Sequence, residues 1–145
     1  MMGASEPYWN PMVPELTVMQ FAVSLNFYRL VGFQVRFQRT NPNFAYLTLG
    51  QAQLMIEEYH DTGWNVGVLE RPFGRGVNLQ IEVADVHAIA DTLSAHGIPL
   101  YRPMTEMWYA THPGVEEGVR EFLVQDPDGY LLRFQEYVGQ RTVVP

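Results

Sequence analysis

The 145-residue chain contains no cysteine, and all nine of its basic residues are arginine, so lysine is absent as well. The absence of cysteine excludes disulfides, thiolate metal ligands and a cysteine nucleophile. The absence of lysine excludes Schiff-base chemistry and the phosphate-binding lysine of a P-loop. Several common enzyme classes are therefore excluded by composition alone.

Long hydrophobic runs and an excess of positive charge are also missing. No apolar stretch approaches the roughly 18 residues of a membrane-spanning helix, and residues 1–10 lack the features of a signal peptide. The net charge of −7 argues against nucleic acid as a partner, because phosphate contacts need basic patches. We expect a cytoplasmic protein without a membrane partner, whose acidic surface favours a cationic ligand.

The sequence does contain a distinctive hairpin pattern near its end. Within residues 120–136, two apolar-rich runs flank the turn Asp126-Pro127-Asp128-Gly129. Proline presets φ in such a turn, and glycine supplies a positive φ. Aromatic and branched residues on both sides of this turn predict a β-hairpin.

The chain also repeats itself. Residues 11–19 predict a strand and residues 20–31 a helix, and the same order returns as a strand at 77–83 and a helix at 86–96. A glycine ends each predicted helix, where a left-handed residue is common. The matching positions of the first half are Leu16, Val18, Phe21, Gly32 and Phe33; those of the second half are Ile81, Val83, Val86, Gly97 and Ile98.

A later match places residues 54–59 on residues 132–137, and the second half is longer around residues 107–118. Two βαβββ units within one domain explain this pattern. The predicted organisation of residues 1–145 is an arm (1–10), a first unit (11–60), a connector (61–75), a second unit (76–138) and a tail (139–145). We expect Tyr8 and Trp9 of the arm to pack on the body or on a partner subunit.

Three phrases, LTVMQFAVSLNFYRLVGF, IEVADVHAIADTLSAHGI and REFLVQDPDGYLLRF, together resemble the glyoxalase, bleomycin-resistance and extradiol-dioxygenase superfamily, the vicinal oxygen chelate proteins. The resemblance covers nearly the whole chain. It implies an α+β fold in which two βαβββ units curl an antiparallel sheet around a ligand-binding groove. It also implies a homodimer, either domain-swapped or side by side.

Alternation along the predicted strands separates an apolar set from a polar set. We expect the apolar set to pack against the helices: Leu16, Val18, Leu54, Ile56, Leu79, Ile81, Val83, Leu132 and Phe134. The polar set either lines the groove or simply meets solvent, as one face of an antiparallel sheet often does. Its members are Val13, Glu15, Thr17, Gln53, Met55, Glu57, Asn78, Gln80, Glu82, Arg133 and Gln135.

Metal-dependent members of the resembled family hold a divalent ion with four groove-facing His or Glu side chains. The resemblance places these positions at Val13, Met55, Asn78 and Arg133. None is a histidine or a carboxylate, and arginine brings a positive charge to the place of a cation. The resemblance therefore implies no metal, no cofactor and no catalytic residues of the family type.

Two alternatives to a binding protein stay open. One is a divergent glyoxalase-type or dioxygenase-type metalloenzyme with non-standard ligands, for which Glu57 and His112 are the candidate groups. The other is a small-molecule sensor or accessory protein. The four histidines, His60, His87, His96 and His112, show no metal-binding spacing and are predicted to lie at the surface.

Metal-free bleomycin-binding members of the family hold the flat tail of the drug between a Phe and a Trp. Phe44-Ala45 matches the family's Phe-Ala pair, and Trp108 is the nearest equivalent of the Trp, in a longer segment than is typical there. We therefore predict sequestration of a bleomycin-like or other cationic aromatic antibiotic. The predicted ligand-binding residues are Phe44, Tyr46, Met55, Glu57, Asn78, Gln80, Trp108, Tyr109 and Arg133.

Overall fold

The computed structural model describes residues 8–144, so most of the predicted arm and the last residue of the tail lie outside it. The elements alternate as the sequence predicts. In chain order they are β1 (Glu15–Val18), α1 (Phe21–Leu30), β2 (Gln34–Arg39), β3 (Phe44–Leu49), β4 (Ala52–Glu58), β5 (Asn78–Glu82), α2 (Val86–Ala95), β6 (Arg102–His112), β7 (Val115–Gln125) and β8 (Leu131–Thr142). Neither helix is long and apolar enough to cross a membrane.

Two four-stranded sheets have the same topology, which confirms the α+β fold of two βαβββ units. The strand orders are β1-β4-β3-β2 in the first sheet and β5-β8-β7-β6 in the second. The first strand of each unit runs parallel to the last, while the other neighbours are antiparallel. A parallel pair needs a long crossover connection, and the helix together with the two intervening strands supplies it.

One hydrophobic core joins the two units. It contains Leu25 and Phe27 of α1, Leu93 of α2, and buried side chains from both sheets. The predicted apolar set lies in this core or packs against it. Burying a large apolar side chain contributes roughly 1.5–3 kcal/mol to stability, so the two units stabilise each other.

The Asp126–Gly129 turn is ordered by its own first side chain. Oδ1 of Asp126 accepts hydrogen bonds from the backbone N–H of Asp128 and of Tyr130, each at 2.9 Å. Gly129 has a φ of +101°, and a Cβ there would lie 2.6 Å from Pro72. The turn therefore requires glycine both for its backbone conformation and for its contact with the connector.

The same turn binds the first unit to the second. The Tyr28 hydroxyl of α1 donates a hydrogen bond to Oδ2 of Asp126 at 2.7 Å, and the Ser24 hydroxyl lies 3.4 Å from Oδ2 of Asp128. From the connector, the Arg71 guanidinium donates to Oδ1 of Asp128 at 3.0 Å. Both aspartates are almost fully buried. These contacts fix the relative position of the two polar sheet faces.

The extra length of the second half lies in the sheet. β6, β7 and β8 have 11, 11 and 12 residues, whereas β2, β3 and β4 have 6, 6 and 7. β8 continues to Thr142, into the residues predicted as a tail, because residues 115–118 of β7 pair with residues 139–142. The second sheet therefore extends as a three-stranded arm, here called the β-arm.

Candidate functional site

The face of each sheet that is opposite the core is here called the groove face. On the first sheet, neighbouring strands place groove-face residues side by side in two rows. The first row contains Glu15, Met55, Tyr46 and Phe37, and the second contains Thr17, Glu57, Phe44 and Arg39. Four of the nine predicted ligand-binding residues therefore share this face: Phe44, Tyr46, Met55 and Glu57.

Aromatic rings cover part of this face. Phe37 stacks on Tyr46 with ring centroids 5.4 Å apart, and Trp9 meets the same Tyr46 edge-on at 5.0 Å. Phe44 lies under Phe37, with centroids 5.8 Å apart. Phe44 and Tyr46 are consequently buried, and Trp9 lies against the ring on which a flat ligand would stack.

Gln53 holds the arm in this position. Its side-chain oxygen accepts hydrogen bonds from the Tyr46 hydroxyl and from the Asn10 N–H, the latter at 2.9 Å. Its side-chain nitrogen donates to the carbonyl of Tyr8 at 2.7 Å. The Arg36 guanidinium lies 4.5 Å from the centre of the Trp9 ring. Tyr8 and Trp9 therefore pack on the body of the same chain.

An acidic cavity of about 290 Å³ lies at one end of the first groove face. Glu15 and Glu57 line it together with Arg39, so two carboxylates and one guanidinium face this cavity. Nε2 of His60 lies 3.4 Å from Oε2 of Glu57. The indole of Trp64 forms an exposed part of its wall. Partial burial and the neighbouring Glu57 raise the pKa of Glu15. Two nearby carboxylates and an indole are suited to an organic cation.

The second groove face places Arg133 in a hydrogen-bonded network. Nη2 of Arg133 donates to the side-chain oxygen of Gln80, and its Nε lies 3.6 Å from Oε2 of the buried Glu121. The Tyr109 hydroxyl donates to Oε1 of Glu121 at 2.5 Å, and this hydrogen bond raises the pKa of Tyr109. Asn78 begins the same edge strand as Gln80. The structure thus brings Asn78, Gln80, Tyr109 and Arg133 to one face.

Trp108 lies on the other face of β6. It pairs with Gly118, and its ring occupies the space where a Gly118 Cβ would lie, at 2.7 Å. Its indole N–H donates to Glu106 at 3.2 Å, and the Arg141 guanidinium lies 4.3 Å from the centre of the ring. Because consecutive strand residues point to opposite faces, Trp108 is separated from Tyr109 and from Phe44.

The groove residues do not fit the divalent metal site of the family. Val13 precedes β1, while Met55, Asn78 and Arg133 occupy the other three positions. These side chains offer a hydrocarbon, a thioether, an amide and a cation, whereas hard divalent ions prefer carboxylate oxygen or imidazole. Among residues 8–144, no three His, Asp or Glu side chains are grouped so that they could hold an ion.

The structure does not bring Glu57 and His112 together. Glu57 lines the acidic cavity of the first unit. His112 ends β6 and lines a separate cavity of about 530 Å³ at the tip of the β-arm, with Pro113 and Val115. The histidine beside Glu57 is His60, which was predicted to lie at the surface.

Three residues at these faces were not predicted as site residues: Trp9 and Phe37, which cover the first, and Glu121, which lies beside Arg133. Glu121 could have been predicted from the sequence. It is next to the buried Phe122 and so points to the opposite face, and pairing across the predicted turn places it opposite Gln135 of the polar set. For Trp9, the aromatic arm was noted without a docking position. For Phe37 no signal was available, since a β-bulge between residues 35 and 37 sets its direction.

The family model described as Glyoxalase/Bleomycin resistance protein/Dioxygenase superfamily matches residues 12–134. The chain belongs to this superfamily. No curated protein matches the chain.

Solved structures share the fold at low sequence identity. TioX from Micromonospora sp. ML1 is 19% identical, with a TM-score of 0.67 over 90% of this chain and 100% of that one. Virulence protein STM3117 from Salmonella typhimurium is also 19% identical, with a TM-score of 0.63 over 91% of this chain and 100% of that one. The fosfomycin resistance protein FosX from Listeria monocytogenes is 14% identical, with a TM-score of 0.57 over 92% and 94%.

Proposed function

We propose that this protein binds a planar, cationic small molecule, such as a bleomycin-like antibiotic, in the groove and sequesters it without a metal ion. The observation that carries the proposal is the set of side chains at the four family ligand positions. A groove with Val13, Met55, Asn78 and Arg133 there can hold a guest through packing and hydrogen bonds. These four positions lack the carboxylate and imidazole donors with which the family would hold a Lewis-acidic metal.

The first groove face supports a ligand that is flat and positively charged. Its aromatic layer offers stacking, which contributes about 0.5–1.5 kcal/mol per aromatic pair beyond area burial. Its acidic cavity offers Glu15, Glu57 and the exposed indole of Trp64 to a cationic group, and the two carboxylates outnumber the single guanidinium of Arg39 there. Because Trp9 lies against Tyr46, a ligand that stacks there displaces or rotates the Trp9 indole.

A homodimer is part of the proposal. The connector exposes three apolar side chains almost completely: Trp64, Val66 and Val68. Exposed apolar clusters of this kind mark contact surfaces in many proteins, and the groove of related proteins is commonly completed by a partner subunit. Substituting Val66 and Val68 together by aspartate is expected to reduce the mass in analytical ultracentrifugation from twice 16.6 kDa to 16.6 kDa. An unchanged mass would contradict this role of the connector.

Tryptophan fluorescence tests the ligand. Titration with bleomycin-type compounds is expected to give saturable quenching of the tryptophan fluorescence. Three variants, each of which keeps only one of Trp9, Trp64 and Trp108, show which indole is quenched. Quenching should be strongest with Trp9 or Trp64, which lie at the first groove face, and weakest with Trp108. The absence of a saturable signal with any planar cationic drug would contradict the proposal.

The competing proposal is a metalloenzyme with unusual ligands. One observation favours it: two potential ligands, His60 and Glu57, are adjacent. Elemental analysis of protein purified without chelator separates the two proposals. A stoichiometric content of zinc, nickel, iron or manganese, lost in Glu57→Gln, would favour the enzyme.

A further inference from the structure

We propose that the second groove face binds an anionic oxygen group of the ligand, a carboxylate or a phosphonate, through the guanidinium groups of Arg133 and Arg102. The inference rests on the proposed function and specifies the chemistry at the second half of the same groove. Where metal-dependent relatives have a ligand for a metal cation, this chain has the cationic side chain of Arg133.

Arg133 is oriented by its neighbours. Glu121 lies beside its Nε at 3.6 Å and Gln80 accepts from its Nη2. The described residues form no hydrogen bond with its Nη1. A guanidinium held on two sides presents its remaining N–H groups in a fixed direction, which suits the planar oxygens of a carboxylate or the oxygens of a phosphonate.

The exposed fractions of the Arg133 and Glu121 side chains determine which of the two charges a ligand can contact. The Glu121 side chain is 7% exposed, whereas the Arg133 side chain is 30% exposed. One Glu121 oxygen accepts from Tyr109, and the other faces Arg133 without forming a hydrogen bond. The carboxylate of Glu121 is therefore enclosed behind the guanidinium, so of this pair a ligand meets the positive charge of Arg133.

Arg102 extends the site. Strand pairing places Gln80, Arg133, Leu123 and Arg102 in one row across β5, β8, β7 and β6. Two strand spacings separate the arginines by roughly 10 Å, a distance that two long side chains can bridge above Leu123. Arg102 is exposed and forms no ion pair with any residue from 8 to 144, whereas Arg120 and Arg141 of the same sheet do.

Phenylphosphonate is the probe, and benzamidine is its cationic counterpart with the same ring. Calorimetric titration is expected to give saturable binding of phenylphosphonate, weakened about tenfold in Arg133→Met and severalfold in Arg102→Met, because charge-assisted hydrogen bonds are lost. The exposed helix residue Arg29, substituted as Arg29→Met, is the matched control and should leave the affinity unchanged. Glu82→Gln, which removes a negative charge from the adjacent row, should strengthen binding.

Removing Arg133 leaves Glu121 without its cation, so that variant requires a second readout. In the unmodified chain, phenylphosphonate is expected to shift the Arg133 Nε–H resonance, while benzamidine leaves it in place. Wild-type affinity in both Arg102→Met and Arg133→Met, or an unmoved resonance, would overturn the inference.

The same variants separate this inference from the proposed function. Phenylphosphonate binding that depends on both arginines, combined with no binding of any planar cationic antibiotic, would refute sequestration of such drugs and support the anion site. Antibiotic binding, combined with phenylphosphonate binding that is absent or is unaffected in both variants, would support sequestration and overturn the anion site.

Discussion

Burial controls the titration of Asp126, the first residue of the turn that joins the two units. Desolvation, opposed by the hydrogen bonds from Tyr28 and from the backbone of Tyr130 and Asp128, raises the pKa of Asp126 from 3.8 to about 6. An acid with a higher pKa in the folded chain than in the unfolded chain favours folding while it is protonated. Its contribution is complete below the unfolded pKa and is lost as the pH rises through the folded pKa.

The free energy of unfolding is therefore expected to decrease between about pH 4 and pH 6, by roughly 3 kcal/mol from this group. Urea unfolding across this range measures the slope. Asp126→Asn keeps the shape of the side chain and removes the titration. The free energy of unfolding of this variant should therefore decrease by roughly 3 kcal/mol less over the same pH range. Equal slopes in the two proteins would show that Asp126 titrates normally.

Gly118 and Trp108 give a prediction about a single contact. The Gly118→Ala substitution places a Cβ 2.7 Å from the indole ring, and such overpacking typically costs about 1–3 kcal/mol. In a Trp108→Ala background the same substitution should cost little, because the ring is gone. Equal costs in the two backgrounds, measured by urea unfolding, would show that the ring does not occupy this space.

At the level of elements, the aromatic arm supports the first sheet. Trp9→Ala removes edge-on contacts with Tyr46 and Phe37 and is expected to lower the free energy of unfolding by about 1 kcal/mol. Met12→Ala is the control, because Met12 is 84% exposed and its loss should leave the stability unchanged. A larger loss from Met12→Ala than from Trp9→Ala would contradict the packing described here.

Element order was predictable, whereas the register of the longest strands was not. The repeat of strand, helix and glycine, together with the turn at Asp126, identified both units and the final hairpin. The face of Trp108 depends on pairing between β6 and β7, which shifts between Arg102 and Thr105 and again near Ala110. A shift by one residue moves a side chain to the opposite face, and no local pattern in the sequence specifies such bulges.

At the level of the whole molecule, the two units are expected to unfold together. Asp128 is 2% exposed and contacts Ser24 of the first unit and Arg71 of the connector. Asp128→Ala leaves these donors without their acceptor and should lower the free energy of unfolding by roughly 2–3 kcal/mol. The signals of Trp9, which packs on the first unit, and of Trp108 in the second unit should still disappear in a single transition. Two separate transitions in the unmodified chain would contradict a shared core.

The sequence predicted which face of each strand carries the site residues, but it did not predict which side chains contact one another there. Alternation placed Met55, Glu57, Gln80 and Arg133 on the polar face of the strands, as the structure has them. The contact of Trp9 with Tyr46 and the position of Glu121 beside Arg133 depend on long-range packing, which strand periodicity does not encode. Both contacts determine which groups a ligand meets, so the structure was needed to define the chemistry of the groove.

Calorimetric titration of a bleomycin-type antibiotic into chelator-treated protein, repeated after addition of zinc or manganese, tests whether the groove binds its ligand without a metal ion. We expect saturable binding with the same affinity in both experiments and unaltered antibiotic recovered afterwards. Binding that requires the metal, or recovery of a chemically modified antibiotic, would contradict sequestration without a metal ion.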